Sequence, residues 1–208
     1  MNTIAIKNLQ HGVTRIILQN GKGNPITPEF IEEMNGLLDN LKEDPPRALI
    51  IDADGASIFS GGFALPIIAD WSREKIESFL SGFLDILHKL LLFPAPTITT
   101  IQGHAIAGGF ILSLATDLRV VGTGKCLLGL SEVNIGAAVP AGAQVLLAAR
   151  TSPQHSLRAS MTGRFFGPQQ AKEIGYADYL SENPLDEAIK SNIFFKIYIS
   201  TESRSKLD

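Results

Sequence analysis

One cysteine, Cys126, occurs in 208 residues. It excludes an intramolecular disulfide, and no Cys/His cluster with zinc spacing accompanies it, so no metal site is expected. A reduced, cytoplasmic setting is the expectation that follows. No apolar run reaches the roughly 18–20 residues of a membrane span, and "LLLFPAP" breaks at its prolines. The first residues, "MNTIAIKNLQ", carry neither the basic start nor the apolar centre of a signal peptide. An "SKL" at residues 205–207 is followed by Asp208, so it does not read as a terminal peroxisomal address. Basic charge is not in excess either. Lys and Arg number 18 against 21 Asp and Glu, a net charge of −3 that lends nothing to a broad nucleic-acid face. No GK[ST] follows a glycine loop, "GHAIAGG" lacks dinucleotide spacing, and no G-x-S-x-G elbow is present.

What remains is a chain that is 45% hydrophobic and 19% charged, enough to bury the core of one domain. "TIAIKNLQHGVTRIILQN" reads as a hairpin around Gln10-His11-Gly12. Thr27 is placed to cap a helix whose first residue is Pro28, with Phe30, Met34, Leu37, Leu38 and Leu41 at helical spacing before Pro45-Pro46. "RALIIDAD" reads as a buried strand, and "GASIFSGGFALP" as a loop. An amphipathic helix fits from about Arg73 to Leu92, with Ile76, Phe79, Leu80, Phe83, Leu87, Leu90 and Leu91 inward. "PAPTITTIQG" predicts a strand, "GFILSLATD" a buried helix, and "LRVVG" and "KCLLGL" two short strands. Helices follow in "PAGAQVLLAAR", in "SPQHSLRASMTG" with Ser152 as cap, in "GPQQAKEIG", and from Asn183-Pro184 onward; the polar "STESRSKLD" reads as frayed. A β, β, α rhythm recurs, which predicts an α/β domain of small sheets stacked by helices.

The glycine pairs Gly61-Gly62 and Gly108-Gly109 each follow a β-rich stretch. Glycine lets a ligand approach the backbone, and the first amides of a helix have no internal partner and lie at its positive end. The N–H groups of Phe63 and Gly108, if convergent, would hold a carbonyl oxygen gaining negative charge. The competing reading is that both pairs serve only tight helix–strand packing.

"SIFSGGFAL", "IQGHAIAGGFILSLATDLRVV", "GLSEVNIGAAVPAG" and "MTGRFFGPQQAKEIGYADYL", in that order, resemble the motifs of the enoyl-CoA hydratase/isomerase (crotonase) family, over about Ile4 to Leu180. The resemblance implies a spiral of ββα units with surrounding helices, assembled as homotrimers or hexamers and acting on acyl-CoA thioesters through an enolate. No further cofactor is implied, since coenzyme A is part of the substrate; nor is a nucleic-acid or membrane partner. Carried onto this chain, it makes Phe63 and Gly108 the oxyanion donors. Gly62, Ala64, Leu65, Pro66, Gly109 and Ile111 then line the substrate site, and Glu132 is the catalytic acid–base group.

This chain departs from the family pattern at three places. Family hydratases carry a first glutamate where Ile111 stands, and often an Asp where Ala64 stands. The C-terminal helical region reads as shortened, with a core at residues 1–183 and a short helix and polar tail at 184–208. A single acid, Glu132, suits the isomerisation of a 3-enoyl to a 2-enoyl thioester, in which one base moves a proton from C2 to C4. Hydration, another acyl-CoA reaction, or a silent acyl-CoA-binding relative are the alternatives. For Glu132 itself the competing reading is a first-turn acid after a Ser131 cap. His104 reads as a packed histidine, Cys126 as a small buried residue, and Asp117 as paired with Arg119 or a backbone N–H. Asp70 is the one acid able to enter from the first glycine loop. Lys22 and Arg164 are candidates for CoA phosphates or plain surface cations. Trp71, Phe79 and Phe83 read as core or acyl-pocket lining.

Overall fold

In the computed structural model, which describes residues 2–190, the predicted hairpin forms from β1 (Ile4–Asn8) and β2 (Val13–Leu18), paired antiparallel. Helix α1 (Pro28–Glu43) starts where its cap predicts: the Thr27 hydroxyl accepts from the Phe30 N–H. Strand β3 (Ala48–Asp52) is buried on both faces, as a continuous apolar run requires. β4 (Ile58–Ser60) and the single turn α2 (Leu65–Ile68) then arise inside the segment expected to be a loop. Three residues are too few to display a period-two pattern, so β4 exists only by pairing with its neighbour.

Helix α3 (Arg73–Leu91) is capped by the Ser72 hydroxyl and buries Phe79, Phe83, Ile86, Leu87 and Leu90. The expected apolar side is corrected at two positions: Leu91 is 44% exposed, and Ile86, not anticipated, is wholly buried. After β5 (Thr97–Ile101) comes a second three-residue strand, β6 (His104–Ile106), then α4 (Gly108–Leu114), every residue of which is buried. β7 (Leu118–Gly122) and β8 (Leu128–Gly129) are the two short strands of the next unit. Helices α5 (Ala141–Arg150), α6 (Pro153–Thr162, capped by Ser152) and α7 (Pro168–Glu173) lead to β9 (Tyr179–Ser181) and α8 (Pro184–Lys190). The expectations for residues 191–208 lie outside the described residues.

The strands sort into two sheets. Six form the order β1-β2-β3-β5-β7-β9, and three form β4-β6-β8. Each unit sends its first strand to the large sheet and its second to the small one: β3 then β4, β5 then β6, β7 then β8. A parallel bridge of Ile26 to Phe63 gives the first unit a one-residue share of the small sheet, ahead of α1. This is the β, β, α rhythm in three dimensions, a spiral whose turns stack by parallel pairing. The main core lies between the sheets and α1, α3, α4 and α5, and α8 covers the far face of β5 and β7 with Ala188 buried.

A buried polar network ties the layers together. Arg119, 1% exposed, donates to the backbone carbonyls of Tyr176 (2.6 Å) and Thr116 (2.8 Å) and to the Asp178 carboxylate (2.7 Å). Arg15 and Asp52 pair across β2 and β3, and Thr100 of β5 donates to the same carboxylate at 2.9 Å.

Candidate active site

The small sheet decides where the site lies. β4, β6 and β8 run parallel, so their C-terminal ends emerge side by side. Phe63 lies three residues past β4, Gly108 two past β6, and Glu132 three past β8. Three residues far apart in sequence thus gather at one edge, the usual place for ligands beside a parallel sheet.

Phe63 is aimed by its neighbours. The Ile26 N–H donates to the Gly62 carbonyl (2.8 Å), and the Ala64 N–H to the Ile26 carbonyl (3.1 Å). In such a parallel bridge the middle residue turns its own N–H the other way, here toward β6 and the start of α4. Among the described residues that N–H has no acceptor. The Phe63 ring holds the position. It meets Phe79 and Phe83 of α3 edge-on at 5.1 and 5.0 Å, and Trp71 in turn meets Phe79 at 5.6 Å. These three aromatic residues form the wall behind the loop.

Gly62 has φ +87°, and a Cβ there would lie 2.9 Å from the Gly108 nitrogen. Only glycine permits both the left-handed backbone and that approach. The Ser60 hydroxyl braces the loop by donating to the Asn24 carbonyl (2.8 Å) and accepting from the Gly62 N–H (3.2 Å). On the other side, the chain turns from β6 into α4 at Ala107, with φ 49° and ψ −123°, a region that side chains rarely enter. That turn frees the Gly108 N–H, the first of the helix, and among the described residues it too has no acceptor. Gly109 answers to packing: a Cβ there would lie 2.4 Å from the Ser60 carbonyl oxygen.

Glu132 opens a 3-10 turn, Glu132–Ile135, beyond β8. Its Oε2 is shut off from solvent and has no hydrogen-bond partner. Burial pushes the carboxyl up from its ordinary value, partly offset by the backbone amides of Glu132 and Ser131. Ser131 stands at the N-cap position and Glu132 in the first turn, as the competing reading has it, but the Ser131 side chain makes no capping bond. The carboxyl is thus held by the amides at the start of its own turn, while its Oε2 stays shut off from solvent without a partner. Ile111, one turn into α4, is 1% exposed. Ala64 is buried, whereas Leu65 and Pro66 are exposed and present an apolar lip outside the Phe63 loop.

The other candidates resolve as follows. His104 Nδ1 accepts from the Leu127 N–H at 2.8 Å, a strand-edge bond. Cys126 is buried, its thiol pushed up to about 11 by that burial. The Asp117 carboxylate accepts from the Thr97 N–H and hydroxyl at 2.8 and 2.9 Å. Asp70, Lys22 and Arg164 are exposed. Two residues that shape the site gave no sequence signal of their own: Ile26, which orients Phe63, and Ala107, which carries the turn. A positive-φ turn is foreshadowed in sequence by glycine or asparagine, and neither stands at Ala107.

The arrangement offers two unpaired backbone donors and one half-buried carboxylate whose Oε2 has no partner, at a common sheet edge. A carnitinyl-CoA dehydratase of Proteus mirabilis is 30% identical over 167 residues, 80% of this chain and 63% of that protein. An enoyl-CoA hydratase structure from Bacillus anthracis superimposes with a TM-score of 0.87 at 26% identity, over 94% of this chain and 76% of that one. An enoyl-CoA isomerase structure from Mycobacterium tuberculosis gives 0.82 at 26% identity, over 91% and 82%. The chain spans about six-tenths of the length of curated relatives that it matches. The spiral of ββα units seen here is therefore the crotonase fold. Since the profile of the enoyl-CoA hydratase/isomerase family also matches residues 8–189, nearly the whole described chain, the protein belongs to that family.

Proposed function

We propose that the protein is an acyl-CoA isomerase that moves a double bond from the 3- to the 2-position of an enoyl-CoA, without a further cofactor. The Phe63 and Gly108 N–H groups receive the thioester oxygen. Glu132 takes a proton from C2, giving a dienolate whose charge rests on that oxygen, and returns the same proton at C4. The C3–C4 double bond becomes a C2–C3 double bond, and nothing is gained or lost. Gly62, Ala64, Leu65, Pro66, Gly109 and Ile111 border the acyl chain and thioester. The expected assembly is a homotrimer or hexamer, in the cytoplasm.

The observation that carries this reading is the buried, unpartnered Oε2 of Glu132 combined with a hydrocarbon side chain at Ile111. A single desolvated base suits a proton shuttle. Hydration is better served by a second polar group to orient water, and Ile111 cannot hydrogen-bond one. Hydration is the second reading, because hydratase is the commoner name among the similar proteins. The test offers 3-hexenoyl-CoA and 2-hexenoyl-CoA separately and identifies the products. The proposal expects the conjugated 2-enoyl thioester from the first and little 3-hydroxyacyl-CoA from the second. Fast hydration of the second without isomerisation of the first would reverse the assignment, and binding without turnover of either would mark a silent relative.

A further inference from the structure

A cavity lies where α5, α6 and α7 meet residues 163–167, beside the end of β8, which pairs through Leu128 with Phe166, and the Glu132–Ile135 turn, which packs through Asn134 on Gly163. Its volume is about 300 Å³, the low end of the range for ligand sites. Leu147 and Phe166 give it a buried apolar floor, and Arg158, Arg164, His155 and Gln170 stand around it. No Asp or Glu lines it. Among the described residues neither the Arg158 nor the Arg164 guanidinium is ion-paired or donates a hydrogen bond, whereas the buried arginines, Arg15 and Arg119, are both committed to carboxylates. Guanidinium donors are matched to planar or tetrahedral anions, and an apolar floor beneath them rewards a hydrocarbon body on the same ligand.

We infer that this cavity binds a small amphipathic anion, a carboxylate on a hydrocarbon body of about the size of a medium-chain fatty acid, with Arg158 and Arg164 holding the carboxylate. A bare inorganic anion would leave the apolar floor uncovered. The site is separate from the proposed thioester site, because Phe63, Gly108 and Glu132 do not line it.

The test is an NMR titration of the full chain with octanoate, octanol and inorganic phosphate, on the wild type and on the R158Q/R164Q double variant. Both arginines are exposed, so the variant keeps its core. The inference expects saturable octanoate binding with shifts at Ala159, Phe165 and Ile174. Octanol and phosphate should each bind at least about tenfold more weakly, and the double variant should lose about tenfold in octanoate affinity. Octanol or phosphate binding as well as octanoate would overturn it, as would an unaffected double variant, shifts centred on Phe63 and Gly108, or no saturable binding. The wild-type comparison of octanoate with octanol decides the matter even if the variant fails to fold.

Discussion

Glu132 combines two opposed demands. As the proposed base it must be ionised, and burial makes ionisation costly. The pH dependence of kcat/KM should therefore rise through an apparent pKa above the ordinary glutamate value of about 4.3, with the ionised form active on the alkaline side. The stability effect has the opposite sense. Between the ordinary and the raised value the unfolded chain ionises before the folded one, so this group makes stability fall as pH rises through that window. Glu132→Gln should then melt at the same temperature as wild type or higher at pH 7, measured by circular dichroism, while losing turnover. Cys126 supplies a control on burial. A thiol held near 11 has almost no thiolate at pH 8, so dithionitrobenzoate should react with the native protein far more slowly than with the urea-unfolded chain. The glutamate and the glycine pairs were legible in the sequence, because motif order marks them. What marks Glu132 out chemically, one carboxylate oxygen left without a partner, depends on packing around a 3-10 turn that no local pattern encodes.

At the scale of the element, the two glycines of α4 differ in kind. Gly108 stands at a bared amide; Gly109 lets the helix lie against β4. Gly109→Ala should destabilise the fold by about 1–3 kcal/mol through overpacking against the Ser60 backbone. Gly36, exposed within α1 with open space where a Cβ would go, is the contrast, and Gly36→Ala should stabilise by about 0.4–1 kcal/mol. Urea denaturation of both variants checks the pair. Gly62→Ala should act on activity, because its Cβ would press on the Gly108 nitrogen. A fall in kcat of about 10²-fold is expected if Gly108 is the oxyanion donor proposed above. Long elements were readable: α1 and α3 have caps and a 3.6-residue apolar stripe, and β3 is a continuous apolar run. β4 and β6 were not, since a three-residue strand is defined by its partners. Those two missed strands carry the loops of the site, so the sequence showed which residues matter before it showed why they meet.

For the whole molecule, the division of labour between the two sheets is the organising fact. The large sheet and its helices supply burial, and the small sheet delivers three loop starts to one edge. Arg119 links the large sheet to the segment after α7, and removing its guanidinium would leave the Tyr176 carbonyl without its buried donor and take the countercharge from Asp178. Arg119→Leu should cost about 3–5 kcal/mol in urea denaturation, without a specific effect on substrate affinity where the protein remains folded. The β, β, α order was legible in the chain, but the sorting of strands between sheets was not, because alternation along one strand does not name its neighbour.

The central claim is that Glu132 is the single proton shuttle beneath a thioester held by backbone amides. The most direct test follows conversion of 3-hexenoyl-CoA to its conjugated isomer by ultraviolet absorbance, on wild type and Glu132→Gln together, with the affinity for a saturated acyl-CoA measured on both. The account predicts turnover by the wild type, a loss of about 10²–10⁴-fold or more in the variant, and acyl-CoA affinity unchanged within about twofold. Equal turnover by the two proteins would contradict it.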